Sequence, residues 1–587
     1  MTVKITLAEY LFYRLHDAGL LAVHGVPGDY NLQLLDHVTP CGLEWVGNCN
    51  ELNAGYATDG YARIKGIGAL VTTFGVGELS AINAIAGAYA EMAPVVHIVG
   101  TPDRKSQSLG ARLHHSFCRG ISQDYEIFAE MYAKVTVKQE NLINLSTAPM
   151  QIDRAIRECI LQSRPVYIRV PMDMVHAMVP RPHSSRSMLV PGSHRCESLN
   201  LLPAPNEPLC ELEIMEQIVH QIRNAKRPFI LVDGGTSRYG LSEMANQLVK
   251  MTGFPTGTTP FGKGIVDETL RNFHGIYSPV GDKRYQSYLE CCDLIINIGP
   301  VHSNVNTFYF TTVPKVDVSI MFEQDCVTVG PSTWNLKPKS LLEKILDNLA
   351  KDGLSRLEPY PDLPRVTLTP EMVEVHPSAE LTQNIFWTRI SSFFRSGDII
   401  MTETGTASVG GRDMILPKGT TLINSSVWLS IGYMLAAAQG AALAQRNLKS
   451  SSLTPSQGRT ILFEGDGSFQ MTAQEVSTII RKKLDVIIFI INNNGYTIER
   501  LIHGPEQHYN EVASWKYLEA PSFFGGVQDS EYPIFTASAN TWGTLDAILN
   551  DKEFKDGRGL RIVELKMDIM DCTQHMSDLF QMGGKKD

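Results

Sequence analysis

Gly465-Asp466-Gly467, followed about two dozen residues later by Asn492-Asn493-Asn494-Gly495, has the residue types that hold a diphosphate through a divalent metal. Magnesium takes oxygen ligands in a tight octahedron and keeps phosphate oxygens and water among them. The Asp466 carboxylate, the Asn493 amide oxygen and the Gly495 carbonyl would fill half of that octahedron. Gly465 and Gly467 permit close backbone approach, and Gly495 a sharp turn. The competing reading is a turn and an Asn-rich loop without a ligand, which a lone Gly-Asp-Gly would favour. The spacing and the flanking elements favour the metal.

Those elements must bring two distant loops together. Ile461 to Phe463 is a short apolar run of strand type, and Val486 to Ile491 an unbroken one rich in β-branched residues. Between them Thr472-Ala473-Gln474-Glu475 reads as a capping box opening a helix to Lys483. A strand, a crossover helix and a parallel strand put Asp466 and Asn493 at one carboxyl edge, where open α/β sheets bind ligands.

The whole chain repeats this alternation. Ala69 to Thr73 and Val95 to Val99 flank a helical Leu79 to Tyr89, and Phe229 to Val232 and Leu294 to Ile298 are further strands. The fold class is therefore α/β with parallel sheets. At 587 residues the chain exceeds one core and suggests about three domains. Proline-rich stretches, from about Pro180 to Pro208 and Pro359 to Pro377, read as the linkers. Lys449 to Gly458 reads as a surface loop. Asp233-Gly234-Gly235-Thr236 is not a dinucleotide fingerprint and reads as a structural turn, and His97 as a core histidine.

A net charge of −10 and a pI near 5.9 argue against a nucleic-acid or membrane binder. Ten cysteines lack metal-site spacing, which suits reduced thiols in the cytoplasm. No run approaches the roughly 20 apolar residues of a membrane span. Thr6-Leu7-Ala8-Glu9 is a second capping box rather than part of a signal peptide, and no lipidation or retention motif is expected at the end.

Longer motifs add a resemblance. His24 to Asn31, Asn50-Glu51-Leu52-Asn53-Ala54, Thr72 to Ser80, His114-His115, Glu403-Thr404-Gly405-Thr406 and Gly495 to Glu499 together resemble the thiamine-diphosphate-dependent 2-oxo acid decarboxylases of the fungal pyruvate decarboxylase type. The resemblance runs nearly end to end. It implies three doubly wound parallel-sheet domains: pyrimidine-binding (1–180), middle (205–355) and diphosphate-binding (378–587). It implies thiamine diphosphate and Mg2+ as cofactors, with Asp466, Asn493 and Gly495 on the metal. It further implies non-oxidative loss of CO2 from a 2-oxo acid, most simply pyruvate to acetaldehyde, through an ylide and an enamine of the cofactor.

The same resemblance distributes the roles. Glu51 would polarise the aminopyrimidine, although a helix-start glutamate is the bland alternative. Asp29, His114, His115 and Glu499 would move protons, each worth about 10²- to 10⁴-fold. Their alternatives are a turn aspartate, a surface histidine pair and a solvated Glu499–Arg500 ion pair. Thr404, Gly405, Thr406, Gly465, Gly467 and Ser468 would meet the diphosphate, and Ile431 would wedge between the cofactor rings. Because Glu51 and the metal ligands of one site come from different subunits in this family, a homodimer or homotetramer is implied, with no nucleic acid or membrane partner.

Three positions depart from the yeast-type pattern. Leu429 replaces a glycine, Gly235-Thr236 replace a cysteine pair linked to substrate activation, and Asn304-Val305 replace Asp-Phe. A wider pocket for aromatic or branched 2-oxo acids, an acetolactate-type carboligase and a non-catalytic relative are the rival readings.

Overall fold

The computed structural model describes residues 3–119, 122–182, 208–354, 357–365, 367, 374–450, 458–527 and 531–583. Most of the first expected linker, the core of the 449–458 loop and part of the second linker lie outside the described residues. Helix α1 (Leu7–Asp17) starts on the expected capping box. The Thr6 hydroxyl accepts from the Glu9 N–H at 3.1 Å, and the Glu9 carboxylate accepts from the Thr6 N–H at 2.7 Å.

The first sheet comprises β1 (Ala22–Gly25), β2 (Glu44–Trp45), β3 (Gly68–Thr73), β4 (Val95–Thr101), β5 (Lys138–Asn141) and β6 (Val166–Pro171). All pairs are parallel, in the order β2-β1-β3-β4-β6-β5. Helix α2 (Glu51–Lys65) follows β2 and α3 (Val76–Ala90) follows β3. Every residue of β3 and β4 is buried, as strands covered by helices on both faces require. His97 in β4 is among them. Its Nε2 lies 2.9 Å from the Thr72 hydroxyl, and burial holds its pKa down at about 3, so it is a neutral core histidine.

The second sheet comprises β7 (Pro228–Val232), β8 (Thr256–Thr258), β9 (Phe273–Ile276), β10 (Leu294–Ile298), β11 (Ser319–Phe322), β12 (Val327–Val329) and β13 (Ser332–Trp334), in the order β9-β8-β7-β10-β11-β12-β13. The first five are parallel, but β12 and β13 continue the sheet as an antiparallel hairpin. An all-parallel reading missed this pair because each strand is three residues long. The Asp233 loop is the expected turn. Asp233 is buried and accepts from Thr259, Asn306 and the Val301 N–H, and Phe261 fills the space a Cβ on Gly234 would need.

The third sheet comprises β14 (Ile399–Thr402), β15 (Thr421–Ile423), β16 (Thr460–Gly465), β17 (Val486–Asn492), β18 (Ile534–Ala539) and β19 (Leu560–Lys566). It is again all parallel, in the order β15-β14-β16-β17-β19-β18. Counted within each sheet, the first and third share one strand order. Helix α4 (Tyr433–Ser450), after β15, therefore corresponds to α2 after β2, and these two helices pack against each other. The contact is reciprocal. A Cβ on Gly60 would strike the Ala437 carbonyl, and one on Gly440 the Ala57 carbonyl. No helix among the described residues is long and apolar enough to cross a membrane.

Candidate active site

The loops after β14, β15, β16 and β17 converge at one carboxyl edge of the third sheet. Helix α5 (Asp466–Thr472) begins directly on the aspartate, with Gly465 as its N-cap. The parallel register of β16 with β17 sets Gly465 beside Ile491. One Asp466 oxygen accepts from the Gly467 N–H at 2.7 Å, the other from the Gly495 N–H at 3.0 Å. One carboxylate thus binds both loops that the sequence singled out.

Asn493 is buried and spends its amide N–H on the Thr497 hydroxyl at 2.6 Å, which leaves its oxygen as the group to offer. The Gly495 turn, at φ +134°, is packed so tightly that a Cβ would strike the Asn510 carbonyl. Asp466 is only 2 % exposed, and no Lys, Arg or His pairs with it among the described residues. Burial pushes its pKa up against the pull of the amides. A buried carboxylate with unspent lone pairs and no cation, beside an amide oxygen, fits a hard divalent ion.

The remaining loops frame this point. Thr404 and Thr406 flank Gly405, at φ +113°, and helix α7 (Thr497–His503) brings Ile498 to the position a Gly405 Cβ would touch. Buried Glu403 holds the loop, accepting from the N–H groups of Thr404 at 2.7 Å and Met434 at 2.8 Å. Burial raises its pKa to about 7, and the adjacent buried Glu464 is raised by burial and by Glu403. Ser468 is buried beside Gly465, and Ile431 is half-buried on the loop between β15 and α4. Leu429 retains a left-handed backbone, at φ +55°, its N–H fixed to the Ser425 hydroxyl at 2.9 Å.

Glu499 lies half-buried on α7. The expected alternative, an ion pair with Arg500, is absent. Arg500 is buried and donates to the Pro505 carbonyl at 2.6 Å.

A second group forms on the first sheet. Glu51 is the first residue of α2, capped by Asn50, whose side chain accepts from the Asn53 N–H at 2.8 Å. Its carboxylate lies over Gly77 at the start of α3, where a Cβ would come to 3.0 Å. Asp29 accepts from or pairs with His114 Nε2 at 2.7 Å, and the Tyr30 hydroxyl lies 3.3 Å from His114 Nδ1 with the rings stacked. The rings of His114 and His115 meet edge to face at 4.5 Å. His115 has φ +66° and packs its carbonyl against Gly75, which has no room for a Cβ. Tyr30 was missed by sequence reasoning, although its place beside Asp29 was a usable signal. Among the described residues no hydrogen bond or ion pair joins this group to Asp466, Asn493 or Glu499.

The capping box expected at Thr472 to Glu475 is a correction. The Thr472 hydroxyl donates to the Gly432 carbonyl at 2.7 Å, and helix α6 (Glu475–Arg481) has no side-chain cap. Glu475 instead accepts from Asn48 at 2.7 Å, across the contact between the first and third sheets. Tertiary partners took both side chains from the local motif.

Comparison with known proteins gives three domains along the chain, in keeping with the three sheets. Family models match at residues 5–125 (thiamine pyrophosphate enzyme, N-terminal TPP binding domain), 215–330 (central domain) and 403–550 (C-terminal TPP binding domain). A pyruvate decarboxylase of Aspergillus parasiticus is 49% identical over 98% of this chain and 97% of its own. One of Aspergillus fumigatus is 42% identical over 96% and 94%, and pyruvate decarboxylase isozyme 3 of Saccharomyces cerevisiae 38% over 98% and 97%. With three matched domains and whole-length likeness of this degree, the chain belongs to the thiamine pyrophosphate enzymes, in the group of the fungal pyruvate decarboxylases.

Proposed function

We propose that this protein decarboxylates pyruvate to acetaldehyde and CO2 without oxidation, using thiamine diphosphate held through Mg2+. The observation that carries the reading is the buried Asp466 carboxylate, tied to two loops and lacking a cation, in a chain whose full length matches proteins named pyruvate decarboxylase. The bound cofactor supplies a nucleophilic carbon and an electron sink for the bond to CO2. Asp466, Asn493 and the Gly495 carbonyl would hold the ion, and Thr404, Gly405, Thr406, Gly465, Gly467 and Ser468 would receive the diphosphate. Ile431 would pack against the cofactor rings.

Glu51 would hold a proton at a pyrimidine nitrogen. The Asp29–His114 pair orients the imidazole, and together with His115 and Glu499 it would deliver and remove protons at the substrate carbons. Among the described residues no hydrogen bond or ion pair joins the two groups, and a homodimer or a dimer of dimers in which each site draws on two copies would bring them together. The free thiols among the described cysteines fit a reducing cytoplasm.

A coupled aldehyde assay with pyruvate and phenylpyruvate, with and without added cofactor and Mg2+, tests the reading. Pyruvate turnover that requires both additions is expected. A hundredfold preference for phenylpyruvate, about 2.7 kcal/mol of discrimination, or acetolactate as the product, would overturn it.

A further inference from the structure

Glu475 has no role in the reading above, yet it is a fully buried carboxylate facing the segment that presents Glu51. A buried carboxylate without a salt-bridge partner is costly, the charge of Arg481 offsetting only part of that from a distance, and a neutral side chain would fill the same space more cheaply. Its surroundings show what the carboxylate does there. One oxygen accepts from Asn48 Nδ2 at 2.7 Å; the buried Asn53 amide makes no hydrogen bond to the other. The Asn48 amide is held on its other sides, accepting from the Gly25 N–H at 3.3 Å and donating to Gln439 at 3.3 Å. Asn48 and Asn53 stand on either side of Glu51.

The surrounding seam is continuous. Cys49 Sγ meets the Gln474 carbonyl at 3.2 Å, Arg481 donates to the Val46 carbonyl at 2.7 Å and Lys482 to the Trp45 carbonyl at 2.6 Å. The strip from Trp45 to Cys49 is therefore lashed along α6, which follows directly on the Asp466 helix α5. Glu475 brings a buried carboxylate to that lashing, and an ionised carboxylate, which only accepts, fixes which way the Asn48 amide points.

We propose that Glu475 is a positioning residue for Glu51. It orients the Asn48 amide and so fixes the approach to the first turn of α2, from which the Glu51 carboxylate projects. This rests on the proposed role of Glu51, and the tests are chosen to separate the two.

E475Q keeps the shape but offers an amide to the Asn48 amide; N48A removes the same bond from the other side and covers the case in which E475Q does not fold. In the cofactor-free protein, hydrogen exchange at the amides of Asn53 and Ala54 should quicken at least tenfold in both variants. Exchange within α3 should change less than twofold. In the loaded protein, kcat should fall at least tenfold with KM within threefold. The near-ultraviolet circular dichroism of the bound pyrimidine should move toward that of E51Q. Uniformly faster exchange in α2 and α3 would reduce Glu475 to general stability and overturn the proposal, as would kcat and dichroism within twofold of the parent. E51Q measured alongside separates the failures. Normal turnover in E51Q removes the proposed function, whereas normal turnover in E475Q beside an inactive E51Q removes only the positioning role.

Discussion

Replacing Glu78 with glutamine should flatten the pH dependence of stability in the first domain. Glu78 is fully buried in the first turn of α3. Its carboxylate accepts from the Gly75 N–H at 2.8 Å and from the Tyr167 hydroxyl at 2.6 Å. Burial is the largest influence and raises its pKa from 4.5 to about 7, against the hydrogen bonds of Tyr167 and Gly75 and the more distant charge of Arg169. Below the unfolded value both states are protonated and the stabilising contribution is fully present. As pH rises from the unfolded value to about 7 the unfolded state ionises while the folded carboxyl, held out of water, stays protonated, and that contribution is lost. At about 1.4 kcal/mol per pH unit the full loss is roughly 3 kcal/mol, most of it between about pH 5 and pH 8.

Glutamine is neutral throughout this range, and its amide can accept from Gly75 while donating to the Tyr167 oxygen. The difference between parent and E78Q should therefore change by about 2–3 kcal/mol across the window, or about 5–10 °C in the melting midpoint of a domain this size. Other buried carboxyls that titrate nearby, such as Glu403 and Asp413, are common to both proteins and cancel. Scanning calorimetry or urea unfolding of the cofactor-free protein at several pH values measures the difference. Parallel curves for parent and variant would refute the assignment of a raised pKa to Glu78.

Three further substitutions probe the site. Gly495→Ala forces a Cβ against the Asn510 carbonyl at a φ that favours glycine. Mg2+ affinity, read by titrating cofactor binding, should weaken about 10- to 100-fold, and unchanged affinity would contradict the Asp466–Gly495 bridge. Asp29→Ala removes an ion pair whose side chains are 51% and 58% exposed. Stability should shift by less than about 1 kcal/mol while kcat/KM falls about 10²-fold or more, and an equal loss of both would make the pair structural. Leu429→Gly relieves a left-handed leucine, a strain of about 1–2 kcal/mol, against a glycine entropy cost of about 0.5–1 kcal/mol. Melting should stay within a few degrees of the parent, and a larger fall would show that Leu429 packing outweighs its strain.

What could be read from the sequence was whatever local pattern decides. The apolar runs at Val486 to Ile491 and Ala69 to Thr73 became buried parallel strands. The glycine-flanked Asp466 came to rest against the Gly495 loop because both close on one sheet edge. The Thr6–Glu9 box formed because nothing competes for its side chains. Thr472 and Glu475 have the same local signature, yet Gly432 and Asn48 claimed them, and one-dimensional spacing cannot rank a cap against a distant partner. The pairing of Asp29 with His114, and the stacking of Tyr30, join segments separated by 85 and 84 residues. Only the family resemblance hinted at that meeting. Buried Glu78, Glu403 and Glu464 gave no signal, since a glutamate in sequence carries no mark of its later isolation from water.

The mutual crossing of α2 and α4 bears on how this molecule can move. Nothing larger than hydrogen fits where Gly60 and Gly440 meet the opposite helix, so the outer domains share a fixed axle rather than a sliding bearing. Any movement that opens the proposed site while leaving this packing intact falls to the loops around it rather than to the two helices.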